Sequence, residues 1–580
     1  MSNLCTGLDF NTKINNNILE YFSKISFSGS ISSVEEYYNY VDVSLENNNS
    51  ILAYSDGDTL YIASDSTIVA NKDCSYMFSG FNLSEKIYDG NLDCRKIENM
   101  DYMYRYFQYS GYNAFKPLSS PVVKSMRSMF ESSTINHVDL SAFESKNIDN
   151  LTSLFFGSTI EHVDLTNFVT KDISNMFSGC TNLIEIDLGV ITGEINNIND
   201  IFFNCNNLGL IVMPSATFTD KVKNLDIFPS TMYDLTLSNS IFKGVESISS
   251  LFSGNQQLNR VSFLGTSFPK LTDMSNLFND CNNLLDVDFS GVITGDIKNT
   301  ANMFYCCNNL QSLDLSSLSF TGINNMYGMF DGCTALTSVN LPNLIRTENP
   351  LNISYMFCDC SNLTDIDLSC IYAKNLSNIE LAFCNCYSVT KINIKNLDTS
   401  KIINMSSVFQ NCNSLKEIIG EISTKSIGNI NYLFDACHNL VTSITISSIP
   451  SSYVNAFYSS SPSGCITVNY EIDCQDIAKI LIEQSYGLAV LGDVVLPSII
   501  KINKIQQTST LIESTESLKK MKETIDSCKE RLSIILRSKG VSATKNEKLT
   551  ALIDKVYTIE VNNGIQNLSK DIKNIHNKLK

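Results

Sequence analysis

Residues 177–188 read FSGCTNLIEIDL, and near-copies return as FYCCNNLQSLDL at 304–315 and FCDCSNLTDIDL at 357–368. Leu183, Ile186 and Leu188 keep the L-x-x-L-x-L spacing of a leucine-rich repeat, a short strand whose alternate residues turn into a core. Outward from Phe177, the same anchor recurs at Phe78, Phe107, Phe130, Phe155, Phe202, Phe228, Phe252, Phe278, Phe304, Phe330, Phe357, Phe383, Phe409, Phe434 and Phe457, roughly every 25 residues. A fixed period of this size predicts a β-rich leucine-rich-repeat solenoid of about 15–16 coils, each burying its apolar face only by stacking on its neighbours. Solenoids of this kind mostly bind other molecules.

A second signal stands ahead of the anchors: Asn175-Met176, Asn325-Met326 with Met329-Phe330, and Asn404-Met405. These apolar pairs are expected to fill the side of the coil opposite the strands, where Met adapts to irregular gaps. Cys180, Cys205, Cys281, Cys307, Cys333, Cys360, Cys386, Cys412 and Cys437 each follow a repeat Phe by three residues. They predict a ladder of small, buried, unpaired thiols. The chain has 19 cysteines, an odd count locked to the repeat, which speaks against a disulfide framework. Cys358-x-Cys360 and Cys384-x-Cys386 look like ligand pairs, yet their second members belong to the ladder and only 4 His are present. No metal and no cofactor is expected.

The run from Asp398 through Met405 to Phe409, followed by Gln-Asn-Cys-Asn-Ser-Leu415, resembles the BspA-like leucine-rich repeats over about residues 50–460. Such repeats occur in bacterial surface lipoproteins, adhesins and phage structural proteins. The resemblance implies a recognition fold and leaves the ligand open.

Residues 1–70 read as an amino-terminal cap, 71–460 as the solenoid, 461–500 as a closing region and 501–580 as a helical part. Ile51 to Ala63 reads as two strands about an Asp-Gly turn, placed to cover the first coil. Asp473 to Gln484 reads as a short helix with Ile477, Ile480 and Leu481 on one side. Met1 to Phe10 shows no basic n-region, apolar stretch or cleavage site, and nowhere do 18 apolar residues run together. Neither secretion by a signal peptide nor membrane insertion is expected from these residues. Charge is uneven: 501–580 hold 16 Lys and Arg against 9 Asp and Glu, leaving 26 basic and 51 acidic residues in 1–500. So acidic a body repels phosphate backbones, and nucleic acid is not an expected partner.

From Leu511 the period becomes seven. Leu511, Leu518, Ile525 and Leu532 share one heptad position, and Ile565, Leu568, Ile572 and Ile575 follow a 3-4-3 spacing. These seams predict oligomerisation or attachment through helices, or a hairpin closed within one chain. Between them, Leu532 to Ala543 and Lys548 to Val556 resemble a short helical element of phage tail and baseplate proteins. That resemblance implies a receptor-binding component of a phage tail or tail-like particle, assembled in the bacterial cytoplasm and contacting other tail or baseplate proteins. The alternatives are a cell-surface adhesin of the BspA-like family or an intracellular scaffold.

No G-x-S-x-G, P-loop or H-E-x-x-H occurs, and His137 and His162 occupy equivalent repeat positions, so no catalysis is expected. Two surfaces could read a bacterial glycan or protein. The first is the residue expected at mid-strand, including Asp187, Asp288, Asp314 and Asp367, where stacked carboxylates would bind cations or take up protons. The second is Tyr102, Tyr104, Tyr106, Tyr109 and Tyr112 around Phe107, which combine flat apolar area with hydroxyls.

Overall fold

Three-residue runs with an apolar centre, such as Glu-Ile-Asp at 185–187, form strands that show only their central residue to the core. In the computed structural model these runs stack into a β-solenoid of about 16 turns. It describes residues 1–18, 22–34, 39–141, 143, 147–460, 465–486 and 489–494, with the isolated positions 542, 544 and 546. Glu185–Asp187, Leu210–Val212, Asp234–Thr236, Arg260–Ser262 and Asp286–Asp288 pair in parallel and in register. Ile186, Ile211, Leu235, Val261 and Val287 thereby make one buried row. A second parallel ladder runs along the next side of the coil, from Glu194–Ile195 to Ile293–Thr294. There Phe242 stacks between Phe218 and Phe268, with ring centroids 4.4 and 4.9 Å away.

The anchors form a column of stacked rings 5.1 to 6.3 Å apart, which Phe457 ends by meeting Phe434 edge-on at 68°. One member differs from the sequence reading. Tyr104, rather than Phe107, stacks between Phe78 and Phe130, at 5.5 and 5.3 Å. A tyrosine ring fits the column as well as a phenylalanine ring does. Its hydroxyl is satisfied inside the core by the Leu118 N–H at 3.1 Å. Phe107 lies three residues further on, in the row the cysteines take later. The column breaks at Phe228, which precedes Pro229, is half-buried, and meets Phe252 only at a tilt of 41°.

Each regular anchor sits between two residues of left-handed backbone, two before and two after: Asn175 and Gly179, Asn276 and Asp280, Tyr355 and Asp359. This conformation costs a non-glycine residue about 1 kcal/mol, least for Asn and Asp, which explains the Asn, Asp and Gly of the repeat. The kinks aim successive N–H groups at the next coil. Asn175, Phe177 and Gly179 donate to the carbonyls of Asn199, Ile201 and Phe203 at 2.9, 3.0 and 2.7 Å. Backbone that is neither helix nor strand is thus satisfied.

The Asn-Met signal resolves into two positions. Asn325 and Asn404 lie five residues before the anchor, and their side-chain oxygens accept the N–H of Tyr327 and Ser406 at 3.1 and 3.0 Å. Asn175, by contrast, is the left-handed residue beside the ring. The nine predicted cysteines are all buried, and no disulfide joins any of the described cysteines. Each ladder thiol donates to the carbonyl of a ring residue one coil back, as from Cys180 to Phe155, Cys333 to Phe304 and Cys437 to Phe409, all at 3.0 Å.

Helices close both ends. Helix Gly7–Asn17, capped by Thr6 accepting the Asp9 N–H at 3.2 Å, lays Phe10 on Phe78 at 6.1 Å. Its Asn11 amide reaches the Ser79 carbonyl at 2.9 Å. A Cβ on Gly7 would stand 2.3 Å from the Cys74 carbonyl carbon, so only glycine lets the helix this close. The sequence reading assigned this cover to the hairpin. The hairpin, Leu52–Ser55 with Thr59–Ala63, joins the neighbouring sheet through Lys24–Ser26 and Ile87–Tyr88. At the far end, strands Val441–Ile446, Cys465–Tyr470 and Val490–Val494 pair in parallel. Helix Gln475–Gln484 there buries Ala478 and Leu481. No described helix is long and apolar enough to cross a membrane.

Candidate functional site

On the strand-bearing face, Asp187, Asp288, Asp314 and Asp367 end their strands rather than standing at mid-strand. Each Oδ1 accepts the backbone N–H two residues on: Gly189 at 2.7 Å, and Ser290, Ser316 and Ser369 at 2.8 Å. These aspartates therefore turn the chain out of the sheet. Their row is not a continuous carboxylate stack. Val212, Thr236 and Ser262 stand in register between Asp187 and Asp288, and Asn340 and Asn393 stand beside Asp314 and Asp367. Hydrogen bonds from Ser316, then from Asn340, hold the Asp314 carboxyl below its usual range, the opposite of the proton uptake expected from stacked like charges. Where Asp139 and Asp164 do adjoin, Lys116 and His137 meet them at 2.9 and 2.7 Å.

The Asp286–Asp288 strand ends one five-stranded ladder, and Ser312–Asp314 begins another with Ser338–Asn340. At this interruption lies a cleft of about 500 Å³ whose polar lining includes Asp286, Asp288, Ser290, Ser312, Asp314 and Asn340. Two of the four proposed aspartates thus meet in one concavity, while Asp187 and Asp367 line other coils. A second cleft, about 270 Å³, opens at the broken ring column between Asp200, Phe202, Phe203, Asp226, Phe228 and Pro229.

The tyrosines separate. Tyr104 is wholly buried in the ring column and cannot meet a ligand. Tyr109 is half-buried against Phe115, with centroids 5.1 Å apart, and Tyr112 projects into solvent. Tyr102 stacks on Tyr76 at 4.7 Å and 11°, with the Arg105 and Arg127 guanidinium carbons 5.5 and 5.1 Å from its ring. Arg105 also covers exposed Tyr106 at 4.6 Å and pairs with Glu131 at 2.7 Å. Tyr76, Arg105 and Arg127 escaped the sequence reading. The clue was Tyr76 lying one period before Tyr102.

Burial pushes the thiols of Cys180, Cys205 and Cys281 up to about 12, so the ladder is unsuited to nucleophilic chemistry. Among the described residues, one group of potential metal-ligating atoms converges, those of Asp331, Cys358 and Asp359. Leu511, Leu518, Ile525, Leu532, Ile565, Leu568, Ile572 and Ile575 lie outside the described residues, as does the rest of the proposed attachment surface.

No curated protein matches the chain. A leucine-rich cell surface protein of Faecalibacterium prausnitzii aligns at 14% identity over 67% of this chain and 93% of its own, with a TM-score of 0.21. Drosophila Toll, in its glycosylated complex with Spatzle, aligns at 12% over 83% and 77%, with a TM-score of 0.27. A plant peptide hormone receptor in complex with RGF2 aligns at 13% over 73% and 78%, with a TM-score of 0.21. At such scores these alignments carry no argument. None of this lends support to the phage-tail resemblance of residues 532–556. The family described as "Mycoplasma protein of unknown function, DUF285" matches residues 72–188, 246–371 and 377–459. With more than half of its length matched in this way, the chain belongs to that family.

Proposed function

We propose that this chain is a non-catalytic recognition protein of the adhesin type, meeting a cell-surface glycan or protein through its strand-bearing face. The cleft at the sheet interruption is the observation that carries the reading. It sets carboxylates and hydroxyls on a rigid stack of strands, an arrangement suited to a ligand presenting cationic groups or hydroxyl donors. The acidic balance of residues 1–500 favours the same ligands and disfavours polyphosphates.

The test is binding of labelled full-length chain to a glycan array, to a panel of extracellular proteins and to intact bacteria. Saturable binding is expected, weakened at least tenfold by Asp288→Asn with Asp314→Asn. The amide keeps each turn-closing acceptor while removing the charge. Glu348→Gln, on an exposed carboxylate elsewhere, should change nothing. Binding indifferent to the double substitution would move the site away from this cleft, and a chain that binds no surface would end the adhesin reading.

A further inference from the structure

Directly after the ring anchors, successive coils carry Tyr305-Cys306, Asp331-Gly332, Cys358-Asp359 and Cys384-Asn385. Carboxylate oxygens of Asp331 and Asp359 and the Cys358 Sγ all lie within 4.8 Å of one another. Cys360 takes the ladder position and donates inward to the Phe330 carbonyl at 3.0 Å. Cys358, two residues earlier, instead sits with the carboxylates, 5% exposed, its thiol donating to Asp359 Oδ2 at 3.4 Å. Cys384 in the following coil is 4% exposed and hydrogen-bonds with Cys358.

Two features set this cluster apart from an ordinary acidic patch. First, one oxygen of Asp359 is already committed. Its Oδ1 accepts the Asn385 amide at 2.7 Å, and Asn385 Oδ1 accepts the Asn411 amide at 2.7 Å. The amide ladder ends on Asp359 and leaves Oδ2 facing Cys358. Second, no cation balances the group. The described ion pairs include neither Asp331 nor Asp359. Two half-buried carboxylates beside a buried thiol, without counter-charge, cost free energy that a divalent ion would offset.

We propose that Asp331, Cys358 and Asp359 bind a divalent metal ion of the zinc class, with Cys384 or a water completing four-coordination. A thiolate with carboxylates suits zinc, whereas calcium and magnesium call for oxygen alone. Metal–sulfur and metal–oxygen bonds of about 2.3 and 2.1 Å put tetrahedral ligands roughly 3.6 Å apart. Small side-chain rotations would therefore close the cluster on an ion. As the metal–sulfur bond forms, the Cys358 thiol proton leaves to solvent. The ion would tie the coil of Asp331 to the coil of Cys358 and Asp359 through their side chains.

Full-length chain, stripped with chelator under a thiol-free reductant, would be titrated with Co²⁺ and then Zn²⁺. One equivalent of Co²⁺ with a thiolate-to-metal absorption band is expected, displaced by one equivalent of Zn²⁺. Cys358→Ser and Asp331→Asn should each weaken Zn²⁺ binding at least tenfold, while Cys465→Ser leaves it unchanged. Asp359→Asn guards against variants that misfold. Asn tolerates left-handed backbone and its oxygen keeps the Asn385 amide bond, so binding should again fall at least tenfold with the circular dichroism unaltered. A chain that takes up no stoichiometric metal, a Co²⁺ spectrum without the thiolate band, or Zn²⁺ affinity indifferent to Cys358→Ser and Asp331→Asn would each overturn the site.

Discussion

A solenoid exposes the role of a residue by comparing it with its counterparts one coil away. Tyr104 shows this best, because its counterparts Phe78 and Phe130 have no hydroxyl to satisfy. Tyr104→Phe keeps the ring and orphans the Leu118 N–H, so a loss of about 1 kcal/mol is expected in denaturant titration. Tyr104→Ala should cost about 3–5 kcal/mol by leaving a hole in the column. Burial raises the ladder thiols, so Cys180, Cys205 and Cys281 should resist iodoacetamide at pH 8 in the native chain and react only after denaturation. Mass spectrometry of the labelled peptides decides this. At Asp139, bonds from Ser141 and the Lys116 ammonium bring the carboxyl down to about 2, below the unfolded value near 3.9. The sign follows: this contribution is present above pH 4 and is lost as pH falls towards 2. Asp139→Asn should cost about 1 kcal/mol at pH 7, with the gap to the parent closing over that window.

At the scale of one element, the coil is the unit of stability, because its hydrogen bonds and ring contacts go to adjacent coils. Excision of residues 278–303 would join Leu277 to Phe304, restoring the left-handed, ring, left-handed pattern with Asn276 and Cys306 around the anchor. A folded, shorter solenoid is the expected result, read by circular dichroism and a single thermal transition. Aggregation with loss of the β signal would contradict nearest-neighbour stacking. The Phe228 coil is the exception to this interchangeability. Pro229 removes an N–H that the regular turn uses, and the cleft at Phe203 is its local consequence. The period was legible there in the Phe spacing. The defect was not, because it is a failure of contact with the preceding ring.

At the scale of the whole molecule, the amino-terminal helix shields the open edge of the first coil. Deleting residues 1–18 would uncover Phe78 and the edge of the first coil, so concentration-dependent self-association in light scattering is expected. The carboxy-terminal heptads carry a separate expectation. If Leu518 and Ile525 pack in a helical seam, Leu518→Glu with Ile525→Glu should abolish any oligomer of the full chain while leaving the β signal of the repeats intact.

Period, anchor spacing and the cysteine row were properties of the sequence itself. A repeat must place chemically similar residues at one position in every coil, and similarity along a chain needs no third dimension to be seen. The Tyr104 exchange, the helix that covers the first coil and the meeting of Asp288 with Asp314 belong to the tertiary structure. Each depends on what lies across a coil boundary: a ring of another residue type that fills the same space, a helix outside the period that fits because of Gly7, a ladder that breaks between equivalent strands. Cys358 states the difference most sharply. Beside Cys360 it reads as half of a ligand pair. Only the winding of the coils brings it to Asp331, a full turn earlier in the chain.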